Sequence, residues 1–291
     1  MYISICLVIR DGEKYMEYID RFFKNYEKLY PDDKLEFFIY ENNSTDNTKS
    51  LIKKFYKNRK GKYICEDLYN NKMKSGRSKE RGNHMAEIRN KLKKHHGILT
   101  SDYTLIFDCD VVFLPFTIKQ LIETLEYNSD FAIASTFNIC WNVYKYPWHL
   151  KWDNNTSLIN RCHYYDSFAL LFNGCSYFSE TTNCPLESCK HCITWRKKNL
   201  PKEILLDMTK INIAETAFGC ISLIRTDIYN KVNWGSSICE HHSFCEQVSK
   251  YGKVAINPKI KTFTTQPSKR DYESIEKELL KLKPYFILNI S

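Results

Sequence analysis

The sequence contains no apolar run long enough to cross a bilayer. The longest such runs cover residues 3–9 and 168–172, whereas a transmembrane helix needs about 20 apolar residues. No basic segment followed by a cleavage site precedes the strand-like residues 2–10, so we expect no secretory signal. These absences predict a cytoplasmic protein, in the host cytoplasm if the chain is viral, with at most a peripheral contact to membranes.

Glycine is scarce as well, with 9 residues in 291. The loop at residues 9–12, after the first strand-like run, contains a single glycine, Gly12. Nucleotidyltransferases normally open with a glycine-rich phosphate loop, so nucleotidyl transfer is disfavoured. Internal repeats and low-complexity linkers are also absent. We therefore expect one domain over residues 1–291.

The composition is that of a globular protein, with 43% hydrophobic and 14% aromatic residues, which excludes a disordered or fibrous chain. Strand and helix patterns alternate through residues 2–136 and predict a mostly parallel sheet with helices on both faces, an α/β fold. The strand-like segments are 2–10, 35–40, 62–65, 103–107 and 131–136, and the helix-like ones are 14–29, 48–55, 85–94 and 117–127. Residues 137–200 look like an irregular insertion. The core patterns that follow it are 217–225, a helix at 238–251, a strand at 253–256 and a helix at 271–282.

Basic residues are concentrated between positions 47 and 100, which hold 16 lysines and arginines against four acidic residues. A localised positive field indicates phosphate-bearing partners, namely a nucleotide, a nucleic acid or anionic lipid. The alternative is a solvated basic helix face. Because no known nucleic-acid-binding motif is present, a nucleic acid is not favoured.

Two carboxylates, Asp108 and Asp110, follow the buried strand-like run at 103–107. Ligands of parallel sheets bind beyond the carboxyl ends of the strands. Strand alternation would place both side chains on one face, where the pair suits Mn²⁺ or Mg²⁺ that also holds a diphosphate. The alternative is an acidic turn at a strand end.

Three further segments carry polar or charged groups. Residues 41–48 follow the second strand, where they can bond a ribose or base edge or simply cap a turn. Residues 77–81 begin a basic loop whose arginine forks match phosphate oxygens. In the third segment, Glu240 could accept a proton from a hydroxyl group, and His241 or His242 could complete a metal site with Asp110.

The chain has twelve cysteines, which we expect to be reduced and mostly buried thiols. Cys184, Cys189 and Cys192, with His191, invite a structural Zn²⁺ site, but a second C-x-x-C pair is missing and zinc is not favoured. The alternative function is a non-catalytic zinc- and nucleic-acid-binding module that uses this cysteine cluster and the basic loop.

In this order and spacing, the segments resemble the GT-A class of nucleotide-sugar glycosyltransferases over most of residues 2–265. ENNSTDNT looks like the loop after their second strand, FDCD like their D-x-D, and AFGCISLIR like their glycine-containing acceptor-side strand. CEHHSFC followed by GKVAINP is similar to the E-H-x-x-F and INP stretches of a subgroup. YDSFAL, with Tyr165 and Asp166, is similar to a segment of capsule-type mannosyltransferases and their relatives.

The resemblance implies a GT-A fold: a Rossmann-like, mostly parallel sheet with an irregular acceptor-side insertion. Residues 1–136 would bind the nucleotide sugar, 137–265 would form the acceptor side, and 266–291 would hold a C-terminal helix. It also implies a metal-dependent, inverting transfer of sugar from a UDP- or GDP-sugar to a hydroxyl group of a glycan, lipid-linked or protein acceptor.

The resemblance further assigns roles to single residues. His241 stands where many inverting members have aspartate, so the base and the stereochemistry stay open. The implied roles are donor binding by Arg10, Glu41, Asn43, Asp46, Arg77, Arg81, Arg89 and Asp108; metal binding by Asp108, Asp110, His241 and His242; catalysis by Glu240 and Asp110; and acceptor-side contacts by Tyr165, Asp166 and Gly219.

Overall fold

The computed structural model describes residues 1–68, 79–140, 169–172, 175–176, 206–207, 209–235, 239–264 and 272–281. The strands in these ranges are β1 (Tyr2–Ile9), β2 (Lys34–Asn42), β3 (Gly61–Glu66), β4 (Tyr103–Asp108), β5 (Val111–Val112), β6 (Phe131–Cys140), β7 (Leu171–Phe172), β8 (Cys175–Ser176), β9 (Asn212–Ala214), β10 (Ile221–Arg225) and β11 (Lys253–Thr264). The helices are α1 (Glu13–Leu29), α2 (Thr48–Phe55), α3 (Lys79–His96), α4 (Phe116–Tyr127), α5 (Thr226–Lys231), α6 (Glu240–Val248) and α7 (Tyr272–Lys281), with a 3₁₀ turn at Tyr56–Asn58.

One large sheet organises the described chain, in the strand order β3-β2-β1-β4-β10-β6-β11-β5, with β9 also paired to β11. β3, β2, β1 and β4 run parallel to one another, as do β6 and β11. β10 lies antiparallel between β4 and β6. The predicted α/β architecture with a mostly parallel sheet is confirmed, and the carboxyl ends of β1, β2 and β4 meet at one edge.

Aromatic side chains attach the helices to this sheet. Phe23 on α1 packs edge-on against Phe37 of β2, with the ring centroids 4.9 Å apart, and Phe22 packs on Phe113 at 4.3 Å. All four rings are buried. The 3.6-residue spacing of apolar residues in α1 therefore reflects one buried face, as its sequence predicts.

Element bounds follow the predictions closely in some places and depart from them in others. Helix α2 covers the predicted residues, whereas α3 begins at Lys79, six residues before the predicted start. Strand β11 continues beyond Pro258 to Thr264 because a register shift between Asn257 and Lys261 takes the proline out of the ladder.

The expected side-by-side placement of the two aspartates on a strand is wrong. β4 ends at Asp108, and Cys109 and Asp110 form a turn before β5. The two-residue alternation of a strand therefore does not extend to Asp110.

Among the helices described, none combines the length and apolar character that a membrane crossing requires.

Candidate active site

The loops after β1 and β2 are joined by hydrogen bonds at the carboxyl edge of the sheet. Asp11 has a φ of +46° and Asn43 a φ of +57°. The backbone N–H of Asp11 donates to Ser44 Oγ at 2.9 Å, and the N–H of Thr45 donates to Asp11 Oδ1 at 2.8 Å. The two loops thus form one rigid rim, beside which the exposed Arg10 lies 3.6 Å from Asp11.

Asp46 and Asn43, two predicted donor-binding residues, form hydrogen bonds with backbone groups of this rim. Asp46 accepts hydrogen bonds from the backbone N–H groups of Glu13 and Thr48, both at 3.0 Å. Although partial burial opposes ionisation, the bonds from Thr48 and Glu13 lower the pKa of Asp46. Asn43 donates to the carbonyl of Leu68 at 2.9 Å and accepts from its N–H at 3.1 Å. Both side chains therefore hold the loop in place.

Glu41, a predicted donor-binding residue near the end of β2, has one carboxylate oxygen, Oε2, that accepts no hydrogen bond from the described residues. Its side chain is fully buried, and Oε1 accepts the N–H of Ser44 at 2.7 Å. Among the described residues, no hydrogen-bond partner reaches Oε2. A buried carboxylate oxygen of this kind is suited to receive a donor group from a ligand.

Arg89 on α3 connects the end of β4 to the start of α6. Its Nη2 lies 3.2 Å from Asp108 Oδ1, and its Nε lies 3.3 Å from Glu240 Oε1. The side chains of Arg89 and Glu240 are 4% and 6% exposed, whereas that of Asp108 is 36% exposed. The sequence places these three residues far apart, and the fold assembles them into one charged group.

Aromatic rings enclose this charged group. The guanidinium carbon of Arg89 lies 4.8 Å from the ring centre of Trp234 and 5.5 Å from that of Phe218. The His241 ring stacks on Phe218 at 3.8 Å, and its Nε2 lies 3.4 Å from Glu240 Oε1. The environment is therefore apolar around a dense set of charges, which strengthens their interactions.

Burial and charge set the ionisation of this group. Burial lowers the pKa of His241 to about 3, which keeps the imidazole neutral. Burial also opposes ionisation of Glu240, but the permanent positive charge of Arg89 lowers the pKa of this carboxyl. For Asp108, burial prevails over the attraction of Arg89 and raises the pKa. Arg81, exposed in the first turn of α3, adds a positive charge near both carboxylates.

Gly219 controls the approach of β10 to this site. Its φ is +63°, and a Cβ atom there would lie 2.3 Å from the carbonyl oxygen of Thr136. Cys220 follows with a φ of +57°, and its carbonyl accepts the N–H of Asp108 at 2.9 Å. Gly219, predicted on the acceptor side, thus places Phe218 and aligns the end of β4.

Asp110 stands apart from the Arg89 group, on the side of α1. Burial and the charge of Asp108 raise the pKa of Asp110 to about 7, while Lys14 opposes the shift. Repulsion between two neighbouring carboxylates is what a bound divalent cation relieves, so the pair fits Mn²⁺ or Mg²⁺.

The two predicted histidine ligands do not join this pair. Within the part of the chain that the structure describes, no three His, Cys, Asp or Glu side chains are arranged to hold a metal ion. His241 instead contacts Glu240 and packs between aromatic rings. Asp108 and Asp110 therefore form a two-residue set, which would leave other coordination positions to ligand oxygens and water.

Several predictions fall outside the described residues, namely those for Arg77, Tyr165 and Asp166 and for the cysteine cluster at residues 184–192. The six cysteines whose side chains are described are free thiols: Cys6, Cys65, Cys109, Cys220, Cys239 and Cys245. Phe218 and Trp234 were not predicted from sequence. An aromatic residue directly before a glycine was the available signal for Phe218, and none marked Trp234.

Comparisons with known proteins show the family and the fold of the chain. The family model described as Glycosyl transferase family 2 matches residues 12–231. The mannosyltransferase PcManGT from Pyrobaculum calidifontis, solved in complex with GDP-Man and Mn²⁺, shares the fold with a TM-score of 0.52 at 13% identity, over 94% of this chain and 59% of that one. S. aureus TarS 1-349, solved in complex with UDP, gives a TM-score of 0.50 at 13% identity, over 99% and 66%.

The chain thus spans less than two thirds of either solved protein. No curated protein sequence matches it significantly. At this level of identity the structural likeness shows a common fold, and the expected GT-A architecture is confirmed.

Proposed function

The chain belongs to glycosyl transferase family 2, and we propose that it transfers a sugar from a nucleotide-diphosphate donor to a hydroxyl group of an acceptor. The observation that carries this proposal is the Arg89 bridge, because it brings the acidic end of β4 next to the first turn of α6. A transferase needs these two regions together, since one would face the donor phosphates and the other the acceptor.

The donor would lie over the carboxyl ends of β1, β2 and β4, which meet at one edge. Glu41 Oε2 offers an acceptor for a base or ribose group, and Arg10 and Arg81 add positive charge at the rim. The basic stretch between residues 47 and 100 favours a diphosphate for the same reason. The UDP and GDP-Man held by the two similar structures support a UDP- or GDP-sugar.

Asp108 and Asp110 would hold the divalent cation, which supplies neutralisation of the charge that develops on the departing diphosphate. The Mn²⁺ in the similar mannosyltransferase structure supports this cofactor. Arg89 already orients the Asp108 carboxylate. Because the pKa of Asp110 is raised to about 7, its carboxyl group would have to release any bound proton to hold a cation near neutral pH.

Glu240 is our candidate for the group that accepts the proton of the acceptor hydroxyl in an inverting reaction. A general base must be ionised, and the lowered pKa of Glu240 meets this condition. Its place in the first turn of α6, where it pairs with Arg89, supports a role on the acceptor side.

The test is a thermal-shift panel of nucleotide sugars with and without Mn²⁺, followed by transfer and donor-hydrolysis assays. A donor present at 100 times its Kd should add about 2.7 kcal/mol of stability. Asp110→Ala should abolish transfer and hydrolysis and keep the fold. The matched control is Asp227→Ala, an exposed carboxylate paired only with Lys231 among the described residues, which should leave activity unchanged.

The assay also has outcomes that count against the proposal. Full activity of Asp110→Ala in EDTA would remove the metal from the mechanism. A different result would support the alternative function, a non-catalytic binding module. In that case the protein would contain stoichiometric zinc, would bind RNA in a salt-dependent manner and would not be stabilised by any nucleotide sugar.

A further inference from the structure

We propose that Arg89 is a positioning residue that fixes the carboxylates of Asp108 and Glu240 relative to each other and contributes to transfer through them, without contact to the donor. This inference rests on the proposed function and deepens it. It assigns to one side chain the task of joining the donor side of the site, at β4, to the acceptor side, at α6.

The geometry of Arg89 is that of a clamp. Two different nitrogens of the guanidinium, Nη2 and Nε, reach the two carboxylates at 3.2 and 3.3 Å. A planar fork with fixed donor directions orients both acceptors, which a lysine ammonium does not do. β4 and α6 are also linked through Cys220 and Phe218, and the clamp adds a polar connection between them through α3.

Burial separates this role from donor binding. The side chain of Arg89 is 4% exposed, and Trp234 and Phe218 lie against the guanidinium. The guanidinium is already paired with two carboxylates and covered by two rings, whereas Arg81 on the same helix is exposed and near both carboxylates. The resemblance implies the same donor-binding role for both arginines, and the proposal keeps that role for Arg81 alone.

Glu240 extends the clamp toward the aromatic wall. Its Oε1 lies 3.3 Å from Arg89 Nε and 3.4 Å from His241 Nε2, and the His241 ring is held by Phe218 and Trp234. The Glu240 carboxylate therefore has a cation on one side and a fixed ring on the other. Loss of the Arg89 guanidinium would leave the carboxylates of Glu240 and Asp108 as neighbouring anions that are free to separate.

The experiment compares Arg89→Lys and Arg89→Met with wild type, using the donor identified by the thermal-shift panel. We expect Arg89→Lys to lower kcat by about ten- to a hundredfold, the usual cost of misplaced reacting groups, while the donor Kd changes by less than about threefold. Arg89→Met should lower kcat further. The double variant Arg89→Met/Glu240→Gln should be no slower than the slower single variant, because the two residues act as a unit.

Arg59→Lys is the matched control. Arg59 is also a buried arginine, 6% exposed, with an ion pair to Glu27 at 3.5 Å and its guanidinium 4.2 Å from the Phe55 ring centre. It lies away from the site, so this variant should lose stability and keep the kcat and donor Kd of wild type. The comparison separates positioning in the site from the general cost of altering a buried arginine.

Hydrogen exchange gives a readout that needs no activity. Amides in the first turn of α6 and at the end of β4 should exchange faster in Arg89→Lys and at the wild-type rate in Arg59→Lys. Unchanged exchange and kcat in Arg89→Lys would overturn the clamp. A large rise in donor Kd with kcat preserved would instead make Arg89 a donor ligand. If the wild type transfers no sugar, the proposed function fails, and hydrogen exchange still decides whether the clamp exists.

Discussion

Gly219 illustrates how much a single residue decides in this site. It precedes Cys220, whose carbonyl receives the N–H of Asp108, and its own backbone presses against that of Thr136. An alanine there would need a left-handed conformation and would place its Cβ 2.3 Å from a carbonyl oxygen. We therefore expect Gly219→Ala to lower the free energy of unfolding by about 2–4 kcal/mol, as measured by urea denaturation.

A second glycine separates the two causes of that loss. Gly97 has a φ of +74° and open space where a Cβ would lie. Gly97→Ala should therefore cost only the backbone strain, about 1 kcal/mol. Equal losses in the two variants would contradict the close approach at Gly219.

At the residue scale, the sequence predicts that a polar loop follows β2, but it does not predict which groups the side chains of this loop bond. Asn43 and Asp46 stand in the expected loop, yet their side chains bond backbone groups of Leu68, Glu13 and Thr48. Residue type and position show that a polar group is available. They do not show whether the fold itself uses it, because that depends on partners brought from other segments.

At the scale of elements, prediction followed the strength of the apolar pattern. α2 was predicted with its observed bounds, whereas the first six residues of α3 were missed. The buried face of α3 includes Gly82, Arg89 and His96, so its apolar period is weak. This helix buries polar groups toward the site and the sheet, and a pattern based on hydrophobicity cannot reveal such a face.

His96, in the last turn of α3, makes this element sensitive to acid. Burial lowers its pKa to about 4 from the usual 6.5. Between these values the unfolded chain binds a proton that the folded protein excludes, so stability is complete above about pH 6.5 and falls as the pH decreases toward 4. We expect the wild type to lose about 2 kcal/mol more than His96→Gln between pH 7.5 and pH 5, as measured by urea denaturation at each pH.

His95→Gln is the control for this measurement. His95 is the exposed neighbour of His96 on the same helical turn. Because His95 adds only a minor charge effect on His96, His95→Gln should change the pH dependence of stability much less than His96→Gln does. If His96→Gln has the same pH dependence as the wild type, burial of His96 does not carry an energetic cost in acid.

At the scale of the whole molecule, the parallel half of the sheet could be predicted and its antiparallel part could not. Alternating strand and helix patterns imply parallel neighbours for β1 to β4. β10 lies between β4 and β6 in the sheet, although it begins more than eighty residues after the end of β6. The sequence that connects β6 to β10 has no regular pattern from which the direction of β10 could be predicted. Phe218 and Gly219 directly precede β10 and therefore reach the site with this strand.

The distribution of charge over the molecule leads to a further prediction. Six lysines on or next to α2, β3 and α3 are exposed, and in the described part of the chain none has an ion-pair partner. We call this set the lysine edge. Its members are Lys53, Lys54, Lys57, Lys60, Lys62 and Lys94. Each lysine close to an anionic bilayer contributes about 1 kcal/mol of attraction. We expect the protein to cosediment with phosphatidylserine vesicles at low salt and to be released as salt is raised.

Charge reversal at Lys53, Lys57 and Lys60 should abolish this vesicle binding, because it changes the local charge by six units. The matched control reverses Lys210, Lys250 and Lys253, exposed lysines near β9 and β11 at the opposite side of the sheet, and should retain most of the binding. Equal loss in both triple variants would mean that net charge alone attracts the protein to vesicles. Binding that survives reversal of the lysine edge would place the membrane contact on another surface, since a screened electrostatic attraction cannot outlast the loss of its charges.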